Sequence, residues 1–113
     1  MSAFTDARRS TSDVISTTVS VSSSGDNTAI AAVTSRRIRV LAVSISAASA
    51  VNAKFTSSTT SDLTKLFYLT SGDLNVVLPY NPFGWFQTVA GELLGLNLSS
   101  GVSVALQITY VLI

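Results

Sequence analysis

The side chains most often used for proton transfer, metal binding and covalent catalysis are missing from this sequence of 113 residues, which has no histidine and no cysteine. Ser-His-Asp and Cys-His arrangements cannot be built, and thiol chemistry, disulfides and cysteine-ligated metals fall away with them. Six carboxylates remain: Asp6, Asp13, Asp26, Asp62, Asp73 and Glu92. All but Asp6 stand beside turn residues or strand starts, where a short carboxylate hydrogen-bonds the local backbone. Asp73 and Glu92 could in principle form a glycosidase-like pair, but nothing in the spacing brings them together. There is no calcium loop, Walker-type loop or dinucleotide fingerprint, and Gly91 and Gly95 alone are too sparse to count as one. The expectation is a protein that is not an enzyme and that uses no cofactor or metal.

What remains is recognition, and three groups of residues could carry it. Arg36, Arg37 and Arg39 form a basic cluster in which Arg37 and Arg39 share one strand face. It reads either as a solvated strand start or as a contact for an acidic protein surface. Nucleic acid is disfavoured, because a net charge of +1 with 12% charged residues supplies little long-range field. No exposed aromatics are expected between the arginines to make a stacking groove. The second group is the stretch Leu78-Pro79-Tyr80-Asn81-Pro82-Phe83-Gly84-Trp85-Phe86, which holds both prolines and the single tryptophan. Each proline fixes its φ and extends the residue before it, so the stretch is a stiff corner between two strands. It is expected to plug one end of the domain; alternatively Tyr80, Phe83 or Trp85 meets a partner. The third group is the C-terminus, where Val111 and Ile113 make both strand faces apolar. Such an edge invites pairing, so it lies either in the domain centre or under a neighbouring protomer.

The elements that must position these residues are strands. Ile15, Thr17, Val19 and Val21 alternate with Ser16, Thr18, Ser20 and Ser22, and the run 23–27 has turn chemistry. Residues 28–34 read as a second strand. Residues 38–48 form the strongest interior candidate, with a phase change at Val40-Leu41 that indicates a bulge or burial on both faces. Strands follow at 51–56, 63–69, 74–78 and 85–89, with room for one helical turn within 62–67. Leu94, Leu96 and Leu98 alternate with small or polar residues, and 102–112 is the cleanest strand of all. Strands at spacings of roughly 8–12 residues with Ser, Gly, Asp and Asn turns describe an all-β sandwich or barrel. The domain is expected to span 14–113, preceded by a flexible polar arm, 1–13, on which Phe4, Arg8 and Arg9 are the possible anchors.

At 113 residues the chain is one domain by length, and 47% of it is hydrophobic. No apolar run approaches the ~18–20 residues of a membrane span, and no apolar stretch near the N-terminus resembles a secretory signal. The chain is therefore expected to stay where it is made, or to leave by lysis or within a particle. An apolar, weakly charged surface is unusual for a free monomer. Composition leans toward assembly.

Three stretches carry a resemblance. Ala31-Ala32-Val33-Thr34-Ser35-Arg36-Arg37-Ile38-Arg39-Val40-Leu41, the proline-rich corner through Gly84-Trp85-Phe86, and Gly91-Glu92 followed by Leu94-Gly95-Leu96-Asn97-Leu98-Ser99 and a terminal tyrosine-containing strand are similar to small all-β structural proteins of tailed bacteriophages. The resemblance covers roughly residues 28–113. It implies an antiparallel β-sandwich of jelly-roll type that decorates a capsid as a trimer, with the major capsid protein as partner and the virion as its location. A tail or fibre-associated subunit is the alternative in the same setting. A glycan-binding module using Tyr80 and Trp85 as stacking platforms is the alternative from another class.

Overall fold

The computed structural model describes residues 14–59, 61–72 and 74–113. Among them the chain forms ten strands and no helix: β1 (Val14–Val21), β2 (Gly25–Ile30), β3 (Ile38–Ala47), β4 (Val51–Ser57), β5 (Ser61–Asp62), β6 (Phe67–Leu69), β7 (Leu74–Leu78), β8 (Phe86–Gln87), β9 (Leu94–Leu98) and β10 (Val104–Leu112). They make two antiparallel sheets. One runs β1-β10-β3-β7 with β8 also on β3; the other runs β2-β9-β4-β5 with β6 also on β4.

Period-two patterning decides which face of each sheet turns inward. In the first sheet the register aligns Thr17, Ile108, Val43 and Leu78 in one row and Val19, Leu106, Ile45 and Val76 in the next. In the second it aligns Leu96 with Phe55, and Leu98 with Ala53 and Phe67. These rows meet in one core, where Ile45, Ala53, Phe55, Leu94 and Leu96 are fully buried. Phe55 joins the sheets, with its ring 5.0 Å from Phe86 on β8 and 6.4 Å from Phe67 on β6. Gly95, between two buried leucines, lies tight against the strands on either side of β9. A Cβ there would stand 2.5 Å from the Thr56 hydroxyl and 3.3 Å from the Asn27 and Ser58 carbonyls.

The phase change at Val40-Leu41 is a bulge: Tyr110 pairs with Val40 and Thr109 with Ala42, which leaves Leu41 as the extra residue. Val40 and Leu41 are both buried, yet only Val40 belongs to the core cluster. Burial on both faces and a bulge occur together here.

Three expectations change. The second strand begins at Gly25 and stops at Ile30, so 31–37 is a connection and the preceding turn is shorter. Asp26 and Asn27 lie in that strand because their side chains are bonded there: Asp26 accepts from Asn97 at 2.8 Å, and Asn27 donates to the Ser23 carbonyl at 2.8 Å. Residues 63–66 hold neither a strand nor a helical turn: 63 and 64 form a bend, held where the Thr64 hydroxyl accepts from the Phe55 amide, and the expected 63–69 strand begins only at Phe67. The 85–89 strand shrinks to β8, because Thr88 is used differently: its buried hydroxyl accepts the Ile38 amide while its amide donates to the Ile38 carbonyl.

Candidate functional site

Seven residues, 79–85, connect β7 to β8, although their anchors Leu78 and Phe86 lie close together along β3, opposite Val43 and Val40. Seven residues cannot lie flat in so short a gap. The chain therefore loops away from the sheet.

Local chemistry sets the shape of this loop. Asn81-Pro82-Phe83-Gly84 has the residue order of a type I turn, with Asn first, Pro second and Gly fourth. The Gly84 amide donates to the Asn81 carbonyl at 2.9 Å, and the Phe83 amide donates to the Asn81 side-chain oxygen at 3.0 Å. Gly84 has φ +85°, a conformation that costs an L-residue energy. The turn is also fastened to the sheet: the Asn81 amide donates to the Leu41 carbonyl at 2.9 Å and the Trp85 amide to the Val40 carbonyl at 2.8 Å. The Trp85 indole N–H closes the base of the loop on the Pro79 carbonyl at 2.8 Å. This is an ordered projection.

The expectation that the aromatic corner plugs the domain is overturned. Phe83, third in the turn, is 85% exposed; Tyr80 is 60% and Trp85 44% exposed. Only Phe86 turns inward, because strand alternation places it opposite Trp85 and against Phe55. The fourth residue of the turn signature, Gly84, was the signal in the sequence that places Phe83 at the tip. A bare glycine is also required by packing, since a Cβ on Gly84 would stand 2.5 Å from Arg39 Cγ and 2.8 Å from Cδ. We expect Gly84→Ala to cost about 1–3 kcal/mol through the left-handed backbone and this clash, read as a lowered unfolding midpoint in denaturant.

Each arginine of the cluster is held on a carbonyl. Arg36 Nη2 donates to the Leu112 carbonyl at 2.9 Å, Arg37 Nη1 to the Thr88 carbonyl at 3.3 Å, and Arg39 Nε to the Gln87 side-chain oxygen at 3.0 Å. None forms an ion pair among the described residues, where the carboxylates are engaged elsewhere. Asp62 pairs with Lys54 at 3.1 Å, and Glu92 accepts the buried Ser57 hydroxyl at 2.6 Å. Asp73 lies outside the described residues, so the Asp73–Glu92 pair does too. The stem of Arg39 runs beneath Gly84, at the base of the loop.

Val111 and Ile113 are placed by internal pairing. β10 lies between β1 and β3, with Val111 opposite Val14 on one side and Arg39 on the other. Beyond the strand, Arg37 and Ile113 exchange amide and carbonyl bonds at 2.9 and 3.0 Å. Both edges of β10 are thus paired within the domain, while Val111 is half-buried and Ile113 is 40% exposed. Phe4, Arg8 and Arg9 lie outside the described residues. The sequence reading missed Tyr68, 75% exposed and opposite Asn52 on the second sheet, and Val77, 57% exposed on the outer face of the first.

No family model and no curated protein matches the chain.

Proposed function

We propose that this protein is a virion structural subunit of the capsid-decoration type, docking through the 79–85 loop onto the outer surface of a shell and reinforcing it. The observation that carries this reading is the loop: three aromatic side chains held outward on a hydrogen-bonded turn, with Phe83 85% exposed. Pre-ordering an apolar tip reduces the entropy lost on docking, and aromatic and arginine side chains are the commonest interface anchors. Phe83 would enter an apolar pocket of the partner while Tyr80, Trp85 and the Arg36/Arg37/Arg39 group meet its rim. Contacts spread over several major-capsid subunits would add interface area, so separating those subunits would cost more free energy.

The strand orders β1-β10-β3-β7 and β2-β9-β4-β6 support a jelly-roll reading, because successive strands 1–2, 3–4, 6–7 and 9–10 cross between the sheets as in two nested Greek keys. That architecture is shared by viral capsid domains and lectins, so it carries the setting only by analogy. Three copies clustered around a symmetry axis would bring three loops onto one site of the shell. Sedimentation with undecorated capsids of the phage that encodes the chain tests the reading. Saturable co-pelleting with a raised temperature of capsid disruption is expected; a chain left in the supernatant at every concentration would contradict it, and binding to purified tails alone would place the subunit there.

The exposure of Tyr80 and Trp85 favours one second reading, a glycan-binding module that stacks sugar rings on these faces. Trp85 is the chain's single tryptophan, so its fluorescence reports directly. A saturable shift against a glycan panel would transfer the loop to that function.

A further inference from the structure

Each sheet has two outer edges, and three of the four carry a device that discourages pairing with another chain. The β2 edge has Gly25, Asp26 and a register shift between Thr28 and Ile30. Beyond β4 the edge is broken into β5 and β6, of two and three residues. Beyond β3 it is divided between β7 and β8, with Pro79 and the loop between them.

The β1 edge is the exception. It runs eight residues, Val-Ile-Ser-Thr-Thr-Val-Ser-Val, without a charge, proline or glycine. Its register with β10 is unbroken from Val14 to Val21. No described strand pairs with its other side. At about 3.4 Å per residue it presents ~27 Å of strand with alternate N–H and C=O groups turned outward.

We propose that this edge pairs with the same edge of a second copy, antiparallel about a two-fold axis through Thr18, so that two four-stranded paths become one continuous sheet. The occupant follows from the strand's own pattern. A two-fold axis normal to the sheet keeps each face on its own side, which allows only pairings between residues of like parity. Centred on Thr18, the pairing sets Ile15 opposite Val21 and Thr17 opposite Val19 on the core side, with Ser16 opposite Ser20 and Thr18 opposite Thr18 outside. Ile15, 38% exposed in the single chain, gains an apolar neighbour. Centring on Thr17 instead would set Val14 opposite Ser20 and leave Val21, 8% exposed and part of the core, opposite no residue of β1.

Charge agrees with this. The outer rows beside the join are Ser16, Thr109 and Ala42; Thr18, Gln107 and Ser44; and Ser20, Ala105 and Ser46, all uncharged. Two such faces brought side by side meet no like-charge penalty. The second sheet's outer face, with Asp26, Lys54 and Asp62, could not be doubled so freely.

This contact is independent of the proposed docking to a shell. It is isologous, whereas a cyclic trimer uses a heterologous surface; a chain forming both with the two axes intersecting at right angles assembles as a D3 hexamer.

The absence of cysteine makes the test clean. Directly opposed residues in an antiparallel pair have Cα atoms about 4.5–5.5 Å apart, within the range a disulfide bridges. Under mild oxidation the full-chain variant Thr18→Cys is expected to become predominantly covalent dimer. Ser16→Cys and Ser20→Cys alone are expected to remain uncross-linked, and their mixture to cross-link. Thr18→Lys, on the exposed outer row, is expected to keep its unfolding midpoint while weakening self-association at least tenfold, and mixing it with Thr18→Glu to restore pairing. Comparable cross-linking of all three single-cysteine variants would overturn the proposal. So would a wild-type native mass of one or three chains across the whole dilution series.

Discussion

Phe55→Ala is expected to destabilise the fold by about 3–5 kcal/mol, the cost of emptying a large aromatic site in a packed core. Against a total stability of about 5–15 kcal/mol for a domain, that is about a fifth or more of what holds the chain folded. The size follows from position. Phe55 has no exposure, lies on β4, and is the ring that both Phe67 of β6 and Phe86 of β8 pack against. Its loss opens a void where the two sheets meet, and those short strands have little else to hold them. Thermal unfolding should fall by ~10–30 °C. A fall of only a few degrees would mean that the sheets are held together elsewhere. Because Phe86 is also the inward anchor of the projecting loop, the same variant should make that loop susceptible to proteolysis well below its unfolding temperature.

Phe83→Ala is expected to do the reverse: leave the fold alone and remove the contact. An 85% exposed side chain at the tip of a turn has almost no packing to lose, so the unfolding midpoint should move by less than ~0.5 kcal/mol. Binding to undecorated shells should weaken about 30-fold or more, the effect of deleting an aromatic anchor worth about 2 kcal/mol or more. Tyr68→Ala supplies the comparison, because Tyr68 is as exposed and as aromatic but lies on the outer face of the second sheet. It should bind as the wild type does. Equal losses in both variants would mean that general surface apolarity, not the loop, drives association.

Alternation was readable wherever one face of a strand meets the core and the other does not, as in β1, β9 and β10. The bulge at Leu41 was readable for the same reason, since inserting one residue inverts the pattern. Partner-dependent features were not. Turn-forming Asp26 and Asn27 sit within a strand because Asn97 and the Ser23 carbonyl lie within reach, across distances no local pattern records. The aromatic corner failed differently. Hydrophobicity names residues that gain from burial without saying whether the burial is internal, so Tyr80, Phe83 and Trp85 looked like core while only Phe86 is turned inward. Turn chemistry would have separated them, since an Asn-Pro-Phe-Gly order places Phe83 at the outermost point. The terminal strand was read well in its faces, but its neighbours depend on topology: β1 covers one side of β10 and thereby becomes the edge itself.

The most direct test is a cryo-EM reconstruction of shells incubated with the purified chain. The expected map has added density on the outer surface, with the 79–85 loop pressed against capsid subunits and the Tyr68 face turned to solvent. A map in which the chain binds with that loop pointing away from the shell, or in which the shell surface carries no added density, would contradict the account.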